Sequence, residues 1–516
     1  MKIRLYLLSY LIVVISNIYA ANINNCDIKP AADLSGCDFS RQNLAGKDFS
    51  GTTISSTNFS YANLAGAILQ NVKSSVGTNF TGANLVHADL RGANLTRANF
   101  TFAKLANANL VVANLSDAKL PRADLTGANL FRAKFINANL IKADFTNSDL
   151  KVANFTGADL SEAIFVDIDG HALIMHKANL IKAIFKSTKE NKLIDLSHAD
   201  FTNANLDHAI FTNAFLYKAN FSRANLNSAA VLHSKLDFAD LSSTRLHKAN
   251  FSYSTLKSVS FNHAYDVVDV NFTWTDLSHA NLNALMPMYY PNFTHASLHG
   301  ANLENAEIRH AKFINARLDN INSRENFPLK DSTKLNGAKI YNSNFTGADL
   351  FGAQLVGVEF DKAMFQKSIF NRANLENAKF KESILNNASF IEAYLKNANF
   401  TGAVLTDAYF WAANITSANF TNANLVNADF GVAIIDRFVW PITNFSNADM
   451  RNSRIPASSF ADYHTHAVFE GAKLGKARLI LQGGSSPEDL ICSESSVTEC
   501  RTLRGTYTRN HRCQIC

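Results

Sequence analysis

Proline and glycine are scarce in this chain, at 8 and 22 of its 516 residues. That excludes collagen-like and Pro/Gly-rich disordered classes. Charge of either sign is not in excess, with 49 Lys and Arg against 43 Asp and Glu and a formal charge of +6. Such a balance neither calls for a nucleic-acid partner nor presents an acidic surface that could imitate duplex DNA. Apolar runs are short. The longest, Leu5–Ile18, falls below the roughly 20 residues of a spanning helix. No nucleophile elbow, phosphate-binding glycine loop or HExxH zinc motif is present, so the sequence reads as non-enzymatic, with no catalytic, cofactor or metal residues. Asp167-Ile168-Asp169-Gly170 opens like a calcium loop but lacks the downstream Glu.

What is abundant is a five-residue period. From Phe80 to Phe165 every fifth residue is Leu or Phe, eighteen in succession, and Ala fills thirteen consecutive positions two residues earlier, Ala83 to Ala143. Asn, Asp or Lys sits between them, as in Ala93-Asn94-Leu95. Further runs extend from Leu34 to Leu69, Leu196 to Phe261 and Leu335 to Phe460. A step of five smears around an α-helix and alternates faces on a flat strand, so neither element buries this pattern. The chain must turn once per repeat, with the Leu/Phe centre and the small Ala pointing inward.

Segments such as ADLTGANLFRAKFINANLIKADF resemble the pentapeptide-repeat family, whose consensus is A(D/N)LXX, over roughly Leu34 to Leu479. The resemblance implies an all-β fold, a right-handed quadrilateral β-helix with four pentapeptides per coil and roughly 22 coils. Terminal coils then need covering, and cysteine-bearing caps are expected at both ends. Residues 1–20 read as a signal peptide: Lys2 and Arg4, an apolar stretch, then Tyr19-Ala20-Ala21 for cleavage. Residues 21–33 are expected to form an N-terminal cap tied by a Cys26–Cys37 disulfide, 34–482 the solenoid, and 483–516 a Cys-rich cap or appendage. In an oxidising compartment Cys492, Cys500, Cys513 and Cys516 also pair, in one of three ways.

Interruptions of the period are expected near 70–79, 166–179, 186–195, 264–271, 284–292, 319–334 and 461–468, and loops leave the wall there. Two stretches carry bulky aromatics. Met286, Met288, Tyr289 and Tyr290 in one, and Phe438 and Trp440 in the other, are candidate partner contacts, although local packing over an irregular coil is the simpler explanation. Eight histidines (His87, His198, His208, His233, His263, His279, His295 and His310) fall two residues after a centre, an outward position, with no in-register ladder expected at a spacing of twenty.

The sequence therefore points to an exported, periplasmic or secreted scaffold that binds a protein or an envelope or host macromolecule. Its Asn-, Lys-, Ile- and Phe-rich usage suits a bacterium. Two alternatives stand beside this reading. The family resemblance implies that a DNA-mimicking, gyrase-binding protein is one, which mild basicity and export both oppose. In the other, the solenoid is a stalk for a thiol-active or receptor-binding C-terminal module.

Overall fold

The computed structural model describes residues 26–282, 287–303, 306–318, 334–435, 443–456, 467–480, 489–492 and 500–502. The expected signal peptide, Met286, Phe438, Trp440, Cys513 and Cys516 lie outside these residues. The chain divides into two compact units, 1–215 and 216–516. Each is built as a right-handed quadrilateral β-helix, and no helix occurs among the described residues.

One pentapeptide of the first unit shows how the sequence does this. Ala93 and Leu95 are fully buried, the Ala because only a small side chain fits beside the centre. Asn94 between them bridges Asn114 of the next coil in parallel, and the Leu95 N–H donates to the Asn114 carbonyl at 2.7 Å. The Ala98 N–H then donates to the Leu95 carbonyl at 3.0 Å, closing a turn whose third residue, Arg97, is left-handed at φ 61°. That conformation costs a non-glycine residue on the order of 1 kcal/mol. The cost is offset because the Arg97 N–H reaches the Ser116 carbonyl of the next coil at 2.9 Å. The preference for Asn or Asp before each centre has its own cause. Its Oδ1 accepts the N–H of the first turn residue, as Asn114 does from Ser116 at 3.1 Å and Asp124 from Thr126 at 3.0 Å.

Where turns tighten into short strands, β1 (Ile164–Val166), β2 (Ile184–Lys186) and β4 (Ile210–Thr212) stack in parallel, and β3 (Ile194–Asp195) pairs with β5 (Ala214–Phe215). Phe165 lies over Phe185 and Phe185 over Phe211, with ring centroids 4.4 and 4.6 Å apart and planes within 2°. Bridged partners are twenty residues apart along most of the unit. The spacing becomes 21 at Asn58–Asn79 and 26 at Asp169–Asp195. One extra residue therefore enters near 70–79 and six near 187–192, where the Thr188 N–H donates to Asp167 Oδ1 at 2.9 Å.

Across 166–179 the spacing stays at twenty, as in Asn154–Ile174, so the irregularity there is one of side-chain size and not of register. Gly170 occupies a centre, while Ile168 and Leu173 fill the positions usually given to Ala, and all three are buried. A Cβ on Gly170 would lie 2.9 Å from Leu196 Cδ2 and 3.3 Å from the Asp195 carbonyl. The large residues have moved to the small positions, and the glycine leaves them room.

At the start of this unit Cys26 and Cys37 form a disulfide with Cα atoms 5.9 Å apart. Cys37 stands two residues before the centre Phe39, in the position of the inward alanine, and is buried.

The second unit repeats the plan with β6 (Ala230–Leu232), β7 (Met288–Tyr289), β8 (Glu307–Arg309) and β9 (Lys339–Tyr341), of which β7, β8 and β9 form one parallel sheet. It continues through β10 (Thr443–Asn444), β11 (Arg454–Pro456), β12 (Ala467–Val468) and β13 (Arg478–Ile480), pairing β10 with β12 and β11 with β13 in parallel. β14 (Asp489–Cys492) joins β13 in antiparallel sense, and β15 (Cys500–Thr502) joins β14 likewise. Two phenylalanine columns run through its core beside buried leucine centres such as Leu385, Leu395 and Leu405. Phe380, Phe400 and Phe420 stack at 4.8 and 4.9 Å, and Phe400 meets Phe410 of the adjacent column edge-on at 88°. Bridge spacings of 21 at Asn250–Asn271, 32 at Asn302–Lys334, 25 at Asn419–Asn444 and 24 at Asp449–Lys473 mark the longer coils.

Candidate functional site

The left-handed second turn position points outward at a corner of the coil, and residues in successive coils come to lie above one another there. In the second unit His233, Tyr253, Trp274 and His295 fill one such corner, with φ between 51 and 60°. The Tyr253 and Trp274 N–H groups donate to the Thr273 and Thr294 carbonyls of the following coils, each at 3.0 Å. The rings pair accordingly. His233 stacks on Tyr253 at 5.0 Å, and Trp274 on His295 at 4.1 Å.

The preceding corner carries Tyr289, Tyr290, Arg309, His310 and Tyr341. Tyr290 stacks on His310 at 4.9 Å, and the Arg309 guanidinium lies 5.5 Å over the Tyr341 ring. Between the two corners runs a file of bridged amides, Asn250, Asn271 and Asn292. Each holds its own turn through Oδ1, from the N–H groups of Ser252, Thr273 and Thr294 at 3.0 to 3.1 Å. The result is one side of the wall edged by aromatic and imidazole rings, with Tyr253, Trp274 and Tyr290 each 52–55% exposed.

Charges at the preceding corner are interlocked. Arg309 Nη2 contacts Glu307 Oε1 at 2.6 Å. Burial, together with the Glu359 carboxylate accepting its O–H, pushes the Tyr341 phenol up to about 12. Lys379 Nζ, 2.7 Å from Glu359 Oε1, and the Tyr341 hydroxyl hold that carboxyl below its ordinary range. A folded value above the unfolded one of about 10 means that Tyr341's contribution to stability is intact below pH 10 and is lost as pH rises through about 12. Difference absorbance between the wild type and Tyr341→Phe is expected to place this phenolate's rise near pH 12. A rise centred near 10 would contradict the arrangement.

Of the candidate contacts in the first aromatic stretch, Met288 is not at the surface. It is a centre, fully buried and paired with Ile308. Tyr289 and Tyr290 do face outward. Tyr253, Tyr265 and Trp274 were not singled out from the sequence, although a signal existed: ring-bearing residues recur at the second turn position every 20 or 21 residues from His233 to His295. A second exposed group, Tyr409, Trp411 and Ile434, lies further along this unit. There a Cβ on Gly431 would meet Trp411 Cδ1 at 2.3 Å, so only glycine lets the indole settle on the next coil.

The histidines are less isolated than their spacing suggests. His279 and His299 are twenty apart and lie 5.3 Å from each other, and the loop near 187–192 brings His171 to 5.7 Å from His198. Both are pairs. Among the described residues no group of three or more His, Cys, Asp or Glu is placed to hold a metal ion. Among the same residues no helix is long and apolar enough to cross a membrane.

The repeat that builds this wall is matched by two family descriptions. "Pentapeptide repeats (8 copies)" covers 32–71, 76–111, 108–147, 148–186, 194–229, 292–322 and 331–366, and "Pentapeptide repeat region" covers 363–440. The chain belongs to the pentapeptide-repeat family. Matched segments stop at 229 and resume at 292, while the coils between them keep their bridges, as at Lys235–Thr255 and Asp240–Ser260. No curated protein matches the chain.

Similar solved structures include HetL, a pentapeptide repeat protein involved in heterocyst differentiation regulation in the cyanobacterium Nostoc. It is 21% identical, over 62% of this chain and 90% of that one, with a TM-score of 0.13. QnrB1, a plasmid-mediated fluoroquinolone resistance protein, is 14% identical over 49% and 91%, with a TM-score of 0.17. A pentapeptide repeat protein of the Arabidopsis thaliana thylakoid lumen is 31% identical over 25% and 66%, with a TM-score of 0.10.

Proposed function

We propose that this pentapeptide-repeat protein is an exported, non-enzymatic scaffold that binds a macromolecular partner through the ring-edged side of its second unit. The observation that carries the reading is the half-exposed set Tyr253, Trp274 and Tyr290, held in place by histidines of neighbouring coils. Exposed tyrosine and tryptophan on a rigid wall lose little conformational freedom on association and supply most of the binding energy at protein interfaces. Export is supported by the basic-then-apolar N-terminus and by the Cys26–Cys37 disulfide, a bond that persists outside the reducing cytosol.

N-terminal sequencing of the protein recovered from fractionated cells is expected to begin near Ala21, in the periplasm or medium. Cross-linking there is expected to trap a partner. The triple variant Tyr253→Ser, Trp274→Ser, Tyr290→Ser should lose that adduct by on the order of tenfold or more while its circular dichroism stays that of the wild type. An undiminished adduct would move the contact away from this side. A full-length chain in the cytosol would remove the export reading.

A further inference from the structure

We propose that Cys492 and Cys500 form a disulfide that fastens the β14–β15 hairpin over the last parallel strand of the second unit. The proposal rests on the export reading above, which supplies an oxidising compartment. β13 takes β11 as its parallel neighbour, with Arg454 opposite Arg478 and Ile455 opposite Leu479. Its other edge would be an open row of backbone donors and acceptors, a template for pairing with any free strand. β14 covers that edge in antiparallel sense, with Leu479 opposite Leu490, and β15 continues the sheet with Ile491 opposite Arg501 and Cys492 opposite Cys500.

Directly opposed residues of an antiparallel pair have Cα atoms roughly 4.5–5.5 Å apart, inside the span of about 4.4–6.8 Å that a disulfide bridges. Four C-terminal cysteines allow three pairings, and this register selects the one that joins Cys492 to Cys500. Formation by exchange is balanced: two thiols and one glutathione disulfide become one protein disulfide and two glutathione thiols, the two S–H protons passing to the departing glutathione sulfurs. Closing a loop this short constrains the unfolded hairpin and so lengthens the time that it stays docked.

Digestion of the non-reduced full chain with trypsin and a Glu-specific protease tests the pairing, because cleavage at Glu494, Glu499 and Arg512 separates the relevant cysteines. The expected product joins a peptide ending at Glu494 to Cys500-Arg501, with the peptide Cys513–Cys516 linked to neither. A link from Cys492 or Cys500 to Cys513 or Cys516 would overturn the proposal. Free thiols throughout the isolated protein would count against export instead. Chain reoxidised with glutathione disulfide then decides the pairing by the same digest. Native-state trypsin cleavage at Lys476 and Arg478 should accelerate on the order of tenfold or more in Cys492→Ser, Cys500→Ser. An unchanged rate would show that the bond does not hold the hairpin in place.

Discussion

Replacing Phe400 with alanine is expected to destabilise the surrounding coils by about 3–5 kcal/mol. Phe400 is fully buried between Phe380 and Phe420 and touches both Phe390 and Phe410 of the neighbouring column. Its loss removes two face-to-face and two edge-on contacts, and the backbone cannot collapse into the void. Coil spacing is set by the parallel hydrogen bonds, such as Phe400 N–H to the Asn419 carbonyl at 2.7 Å, which pin the wall at a fixed radius. In a solenoid each coil is stabilised by its neighbours, so the damage should be local. Hydrogen exchange is the suitable readout, since a long repeat need not unfold in two states. Amides of residues 380–425 should lose protection, while those near Leu34–Leu69 keep theirs. A loss under about 1 kcal/mol would mean that the column relaxes more than close packing allows.

Cutting the N-terminal disulfide should have the next largest effect. Alanine is the residue the repeat itself prefers at position 37, so Cys37→Ala removes the cross-link while leaving an inward side chain that fits. Cys26 and Cys37 are eleven apart in sequence, and closing a loop of that size is worth roughly 3 kcal/mol. Because each coil is stabilised by its neighbours, the effect is expected to concentrate in the coil that carries Cys37. Limited trypsin digestion of the oxidised wild type should spare Arg41 and Lys47, and Cys37→Ala, Cys26→Ala and the reduced wild type should all be cut there first. Equal cleavage in all four would show that the first coil is ordered without the bond.

How much of this was legible beforehand depends on whether a feature is local. The inward positions were readable because a centre and its alanine are two residues apart in one pentapeptide. Leu95 and Ala93 lie where the period put them. The reason for Asn and Asp before each centre was not readable as a pattern. It needed the turn geometry that aims an N–H at Oδ1. Residues 436–441 lack the inward alanine and carry a bulky pair but keep the five-residue phase, so no change of coil length was legible there, yet Asn419 bridges Asn444 across 25 residues. An insertion of one whole repeat is invisible to a period of five. Residues 166–179 erred in the other direction. Their odd composition suggested an interruption, and a glycine centre flanked by Ile168 and Leu173 restores the volume without breaking register.

By itself, then, the sequence determined the cross-section of this protein: which side chains face in, where each turn falls, and that coils stack. These follow from a repeat short enough for its own hydrogen bonds and volumes to settle. Only the tertiary structure decided which residues share a corner. Neighbours across coils are 20, 21, 24, 25, 26 or 32 residues apart, according to how much chain each coil carries beyond four pentapeptides. That is why Tyr290 meets His310 while Trp274 meets His295, and why Met288 is core and Tyr290 is surface.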